Sequence, residues 1–294
     1  MNWREARGNW LLLPPNPKAL IHFLGGAFVA GAPHLTYRWL LEQLAQEGYA
    51  VVATPFINTM DHTAIARQVL LTFDRAQDYL GDYLARYQLP IYGLGHSMGC
   101  KVHLLIGSLF EEARAGNIFL SFNNFPARRS IPLLEEFTQA SSQMSSQVSS
   151  LFDMAKRSFP ALEQFVSPQV NPANTTIEFV PSPEETMALA ADHYGARRTL
   201  LVRFNDDDID QSQMLYETLQ RRSEPNSGPG QERVTLRSLP GTHLTPLGQD
   251  IPWQSGQAFS PIDAMGQLMK QELYRDLNRL KRETLTWLAL GNAD

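Results

Sequence analysis

The chain has 294 residues, 43% of them hydrophobic and 19% charged, with a net charge of −5. That mixture excludes a disordered chain, and the acidic balance gives nucleic acid no bulk attraction. Arg128–Arg129, Arg197–Arg198 and Arg221–Arg222 read as isolated surface pairs, so no nucleic-acid partner is expected.

A lone cysteine, Cys100, excludes an intrachain disulfide. The longest apolar run, Ala19 to Pro33, is too short for a spanning helix, and Met1-Asn-Trp-Arg-Glu is not the start of a secretory signal. A cytoplasmic protein with no transmembrane segment is expected.

Leu11–Leu13 and Leu20–Leu24 predict short buried strands, the second ending at Gly25–Gly26. Leu35 to Leu44 carries apolar residues at helical spacing and stops at Glu47–Gly48. Val51–Thr54 is a strand closed by Pro55, and Ala64 to Tyr87 a long amphipathic helix. Pro90–Gly93 is a strand, Met98 to Phe110 a helix and Ile118–Phe122 another strand. Short apolar strands alternating with helices imply a mostly parallel sheet covered on both faces.

Residues 125–198 interrupt that rhythm. Helix-period apolar positions (Leu133, Leu134, Phe137, then Met144, Val148, Leu151, Phe152, Phe159) face serines and glutamines, and Pro160, Pro168, Pro172, Pro181 and Pro183 break the stretch into pieces. It reads as a helical cap inserted in a core formed by 1–124 and 199–294. In the second part of that core Leu200–Phe204 is a strand and Ser212 to Arg222 a helix. Val234–Leu239 is the last strand, and Ile262 to Leu290 is helical.

Gly95-His96-Ser97-Met98-Gly99 fits G-x-S-x-G between a predicted strand and a predicted helix. The chemistry needs a very sharp turn there: the serine takes a strained backbone angle, and glycines two residues to either side avoid collisions. The hydroxyl is thereby lifted off the sheet toward a helix N-terminus, which favours developing negative charge. Dinucleotide binding is the rival reading of Gly93-x-Gly95. It fails because the third glycine falls one residue late, at Gly99, and Ile118–Phe122 holds no carboxylate.

An activated serine needs a base, and His243 directly follows the last predicted strand. The base needs an orienting carboxylate, and Asn205-Asp-Asp-Asp-Ile-Asp210 follows the strand Leu200–Phe204. Counting from Asn205 as the strand-end turn favours Asp208, with Asp207 next. For the oxyanion, one amide would be that of Met98, and the other that of Gly26 or, failing it, Ala27, in the glycine loop after an early strand.

Asp206-x-Asp208-x-Asp210 with Glu217 has calcium-loop spacing, but Gln211 stands where the loop needs glycine, so no metal is expected. No cofactor is expected either. His96 is expected to shape the site, since it points away from its neighbour Ser97, and Cys100 to pack against the sheet.

Together the Phe23–Phe28 glycine loop, Gly95–Gly99, Asn205–Gln211 and Gly241–Pro246 resemble the α/β-hydrolase superfamily, and within it an uncharacterised family of cyanobacterial and plastid proteins. The resemblance implies an α/β-hydrolase fold with a serine, acid and histidine at the matching positions. Leu24 departs from it, since many relatives have histidine before the glycine loop. The expected function is cleavage of an ester or thioester through an acyl-enzyme on Ser97. Met144, Leu151, Phe152 and Phe159 would line the pocket of a small, preferably lipid-like, acyl substrate. A non-catalytic binding or scaffold protein is the alternative class, and acyl transfer a third.

Overall fold

A computed structural model describes residues 1–27, 29–112, 114–127, 129, 178–222, 233–247 and 261–291, with only the backbone of 261–273. The pocket residues read from the sequence, Met144, Leu151, Phe152 and Phe159, and most of the expected cap lie outside the described residues.

The strands are β1 (Arg4–Ala6), β2 (Asn9–Leu12), β3 (Ala19–Leu24), β4 (Tyr49–Ala53), β5 (Ile91–His96), β6 (Gly116–Leu120), β7 (Thr199–Asp206) and β8 (Val234–Thr242). They form one sheet in the order β1-β2-β4-β3-β5-β6-β7-β8. The β1–β2 and β2–β4 pairs are antiparallel and all others are parallel. The helices are α1 (Pro33–Thr36), α2 (Arg38–Gln46), α3 (His62–Tyr79), α4 (Gly81–Tyr87), α5 (Met98–Leu109), α6 (Pro183–His193), α7 (Ser212–Arg221) and α8 (Pro261–Leu290). This is the α/β-hydrolase fold.

The sheet is covered on both faces, and its central strands β3, β4 and β6 are accordingly buried at every position and mostly apolar, not apolar at alternate positions only. Successive side chains then part to opposite sides. Ile21, Phe23, Val51, Ile118 and Leu120 pack with Leu40, Leu41 and Leu44 of α2 and Leu280 and Trp287 of α8. Leu20 and Val52 meet Phe73 and Ala76 of α3 on the other face. There too, Phe119 and Leu201 meet Cys100 and Leu104 of α5, Ala190 of α6 and Leu215 of α7. Among the described residues no helix is long and apolar enough to cross a membrane.

Three elements differ from the sequence reading. Strand β1, too short and polar to show a pattern, pairs with β2 at the sheet edge. The long helix expected over 64–87 divides at Leu80, where Gly81 weakens helical continuity and begins α4. Pro183, read as a breaker, instead opens α6 at its first turn. Ser182 Oγ accepts from the Glu185 amide at 3.1 Å, and the Ser182 amide donates to Glu185 Oε2 at 2.8 Å. Proline is favoured there because the first helical N–H groups have no partner to lose. Thus α6, within the stretch assigned to the cap, packs in the cluster of α5 and α7.

Helix α5 is buried from Met98 to Ile106, and that run includes Lys101, only 2% exposed. Its ammonium donates to the Pro181 carbonyl at 3.3 Å and lies 5.6 Å from the centre of the Phe179 ring. Burial pulls its pKa down to about 7 against the opposing pull of Glu178 and Glu184. The unfolded chain keeps that proton up to about pH 10.4. Above about pH 7 the unfolded state therefore binds the extra proton, and stability rises with pH through that window. Lys101→Met removes the penalty of the buried charge. Thermal melts across pH should show a gain of about 2–4 kcal/mol near pH 6 that shrinks toward pH 10. A gain independent of pH would place the amine in water.

Candidate active site

The turn between β5 and α5 is drawn tight enough to dictate its residues. Ser97 sits at φ 53°, ψ −118°, directly before the first turn of α5. A β-carbon on Gly95 would stand 2.6 Å from the Cys100 amide nitrogen, and one on Gly99 2.1 Å from the Leu24 carbonyl oxygen. Neither position admits a side chain, which is the physical content of the G-x-S-x-G spacing. The Ser97 amide donates to Leu120 O of β6 at 2.9 Å, fixing the turn to the next strand. Positive φ costs a non-glycine residue of order 1–3 kcal/mol, so packing holds Ser97 there against its own backbone preference. Met98 is the first residue of α5, where amides lack intrahelical acceptors.

The loop after β3 lies against this turn. A β-carbon on Gly26 would be 3.4 Å from Ser97 Cβ and 3.3 Å from His96 Nδ1. The Gly26 amide, however, donates to Tyr37 Oη at 2.8 Å. The first-choice oxyanion donor is thus already hydrogen-bonded, and Ala27, the second choice, follows it in the loop.

His243 and Asp207 emerge together. In the parallel β7–β8 ladder Asp206 pairs with Thr242, so Asp207 and His243 are the next residue out of each strand. His243 Nδ1 lies 2.8 Å from Asp207 Oδ2, with the carboxylate fully buried. Burial by itself would raise the Asp207 pKa, but hydrogen bonds from His243 and from the Ile209 amide (3.1 Å) outweigh it and hold the carboxyl below its usual range.

Asp208, which the sequence reading favoured, is the following residue and is exposed in a turn. β7 runs to Asp206, two residues beyond its expected end at Phe204, and its register against β8 brings Asp207, the first residue past the strand, to His243. Asp210 turns the other way, accepting from the Ser212 amide and hydroxyl at 3.0 and 2.8 Å. Burial raises its pKa to about 6, though Ser212 opposes the shift.

His96 joins the three loops. Burial, with a further push from His243, lowers its pKa to about 3, so the ring is neutral. Its Nε2 lies 2.9 Å from the His243 carbonyl oxygen, an acceptor only, so Nε2 carries the hydrogen and Nδ1 accepts from Tyr37 Oη at 2.7 Å. A chain of hydrogen bonds thus runs from the Gly26 amide through Tyr37 and His96 to the backbone of His243.

Two residues escape the sequence reading altogether. Tyr37 belongs to a helix start with no motif. Asn123, in the loop beyond β6, donates from Nδ2 to Ser97 Oγ at 3.0 Å. Its only signal is position, at the carboxyl end of the strand beside β5. Cys100, one turn along α5, is buried, donates to Leu120 O at 3.3 Å, and has its thiol pKa pushed up mainly by burial. Among the described residues no group of three or more His, Cys, Asp or Glu side chains is placed to hold a metal ion.

A hydroxyl on a strained turn, an imidazole oriented by a buried carboxylate, and backbone amides beside them make a set suited to acyl transfer. A family profile described as "Protein of unknown function (DUF1350)" matches residues 2–290. No curated protein matches the chain. Among solved structures it is similar to a thioesterase domain from the curacin biosynthetic pathway, at 15% identity over 84% of this chain and 94% of that one, TM-score 0.49. It is also similar to an esterase of Pyrococcus furiosus, at 14% identity over 93% and 86%, TM-score 0.48. Carboxyl esterase 2 of the mycorrhizal fungus Tuber melanosporum gives 15% identity over 92% and 82%, TM-score 0.48.

Proposed function

The chain belongs to the DUF1350 family, and from the geometry of its site we propose that it is a serine hydrolase cleaving a carboxylic ester or thioester. One observation carries the reading: His243 is oriented by buried Asp207 at 2.8 Å, at the same end of the sheet as the strained Ser97.

In this reading Ser97 Oγ attacks the acyl carbonyl carbon while His243 Nε2 takes its proton. Asp207 fixes the Nδ1–H tautomer and stabilises the imidazolium. The Met98 and Ala27 amides receive the negative charge on the carbonyl oxygen. Collapse expels the alcohol or thiol, protonated by His243, and leaves an acyl ester on Ser97. Water, deprotonated by His243, then releases the acid. In the free enzyme Asn123 holds Oγ in place. The preference for a lipid-like acyl chain rests on Met144, Leu151, Phe152 and Phe159 of the sequence alone.

Hydrolysis of a nitrophenyl ester series from acetate to palmitate tests the proposal, and the chain-length optimum sizes the pocket. Accumulation of a new ester when an alcohol competes with water would reassign the chain to acyl transfer. The acid assignment has its own contrast. Asp207→Asn is expected to lower kcat by about 10³–10⁴, since it disturbs the tautomer of His243. Asp208→Asn should stay within about threefold of wild type, as surface changes away from the site do. Equal effects of the two would leave His243 without the proposed partner.

A further inference from the structure

Arg197, Arg198 and Arg222, read in the sequence as members of isolated surface pairs, converge in space with Arg233 and Arg237. A cleft of about 1160 Å³ is lined by Arg197, Arg198, Arg222, Arg233 and Arg237, and among the described residues Glu283 is the only acidic one in its lining. It lies at the start of β7 and β8, between the end of α7 and the last turns of α8. The eight residues of β7, at about 3.3 Å each, set it roughly 25 Å from the end where Asp207 and His243 emerge. In a chain of net charge −5, this local excess of positive charge is not a reflection of composition.

The five guanidinium groups are not equally committed. Arg222 is tied to α6, donating to the Ala190 carbonyl at 3.0 Å and to that of Tyr194. Arg237 faces Glu283 at 3.6 Å. Arg198 lies over the Trp287 ring, 4.3 Å from its centre, and donates from Nη2 to the Trp287 carbonyl at 3.0 Å. Its Nη1, buried with no hydrogen-bond partner, is packed against Gly291, which does not line the cleft. Arg197 and Arg233 are exposed at the rim, and no carboxylate pairs with either among the described residues.

Guanidinium groups gathered at one cleft repel one another, and an acceptor-rich anion held between them offsets that repulsion. We propose that the cleft is a binding site for a small, multiply charged phosphate-bearing ligand. Its oxygens would engage Arg197 and Arg233 directly, with Arg198 and Arg237 adding their charge at the cleft wall. Planar guanidinium forks match phosphate oxygens in pairs, and several at one cleft favour a di- or triphosphate over a single charge. The site is separate from the Ser97 centre and does not depend on the hydrolase reading.

Isothermal titration of the full chain with pyrophosphate at about 50 mM salt tests this, since screening weakens such contacts at higher ionic strength. Saturable binding of one equivalent is expected, weakening as salt is added. The double variant Arg197→Gln/Arg233→Gln, altered only at exposed positions, should melt like wild type and bind about tenfold or more weakly. Ser97→Ala should bind as wild type does. A titration with ATP separates the sources: equal affinity assigns recognition to the phosphates, and tighter binding to a nucleotide. No saturable binding of either anion, or equal binding by the double variant, overturns the proposal.

Discussion

A fluorophosphonate probe will label the wild-type chain and leave Ser97→Ala unlabelled, and ester turnover will fall by about 10⁴–10⁶ in the same variant. The size of the effect follows from the role: without Oγ no acyl-enzyme can form, and only binding and the oxyanion amides remain to assist water. The fold will survive the change. Ser97 already occupies φ 53°, so alanine inherits the same strain, and the melting temperature should move by the equivalent of about 1 kcal/mol or less. Ser97→Gly sharpens the argument, because glycine populates positive φ freely. It should be as inactive as Ser97→Ala yet more stable than wild type by about 1 kcal/mol. A residue placed for packing would not show gain and loss together; one held under strain for chemistry would. If folded wild type neither labels nor turns over any ester, the hydrolase reading fails and a scaffold role takes its place.

The elbow was legible in sequence because its demands are local. Gly95 and Gly99 are dictated by contacts of the turn with the ends of β3 and α5, so residue types and spacing alone announce the geometry. The carboxylate that meets His243 was only half legible. Four aspartates lie within five residues, and the choice among them turns on where β7 ends, a boundary that pairing with β8 extends to Asp206. Pro183 misled for a related reason, since proline both breaks helices and begins them, and the Ser182–Glu185 capping box decides which. The link through Tyr37 and His96, and the contact of Asn123 with Ser97, had no sequence signature. They join residues 59 and 26 positions apart through tertiary packing alone. The same holds for the arginine cleft, where Arg197, Arg198 and Arg222, read as members of surface pairs, meet Arg233 and Arg237 only once β7, β8 and α7 bring them to one place.

Gly99→Ala tests how far the site depends on the fold beneath it, and it is expected to be the most damaging single methyl group in the described structure. The added carbon would lie 2.1 Å from the Leu24 carbonyl oxygen, 2.7 Å from its carbon and 2.8 Å from the Gly25 carbonyl oxygen. All three are backbone atoms, so no side-chain rotation relieves the collision. Either α5 withdraws from β3, opening the cluster in which Leu24 packs on Met98 and Val102, or the Gly25–Ala27 loop shifts. The first route should cost about 3–5 kcal/mol, at the upper end for overpacking and strain. The second preserves more of the fold but moves the Ala27 amide, the proposed oxyanion donor, relative to Ser97, and a displacement of about 1 Å lowers rates about a hundredfold. Denaturant unfolding and the rate of fluorophosphonate labelling separate the two routes. Gly81→Ala is the control, since a β-carbon there meets nothing within 4 Å and Gly81 begins a helix. It should leave labelling unchanged and gain up to about 1 kcal/mol in stability. A Gly99→Ala chain that unfolds and labels like wild type would mean that β3 and α5 do not approach as closely as the elbow requires. The oxyanion arrangement built on that approach would fall with it.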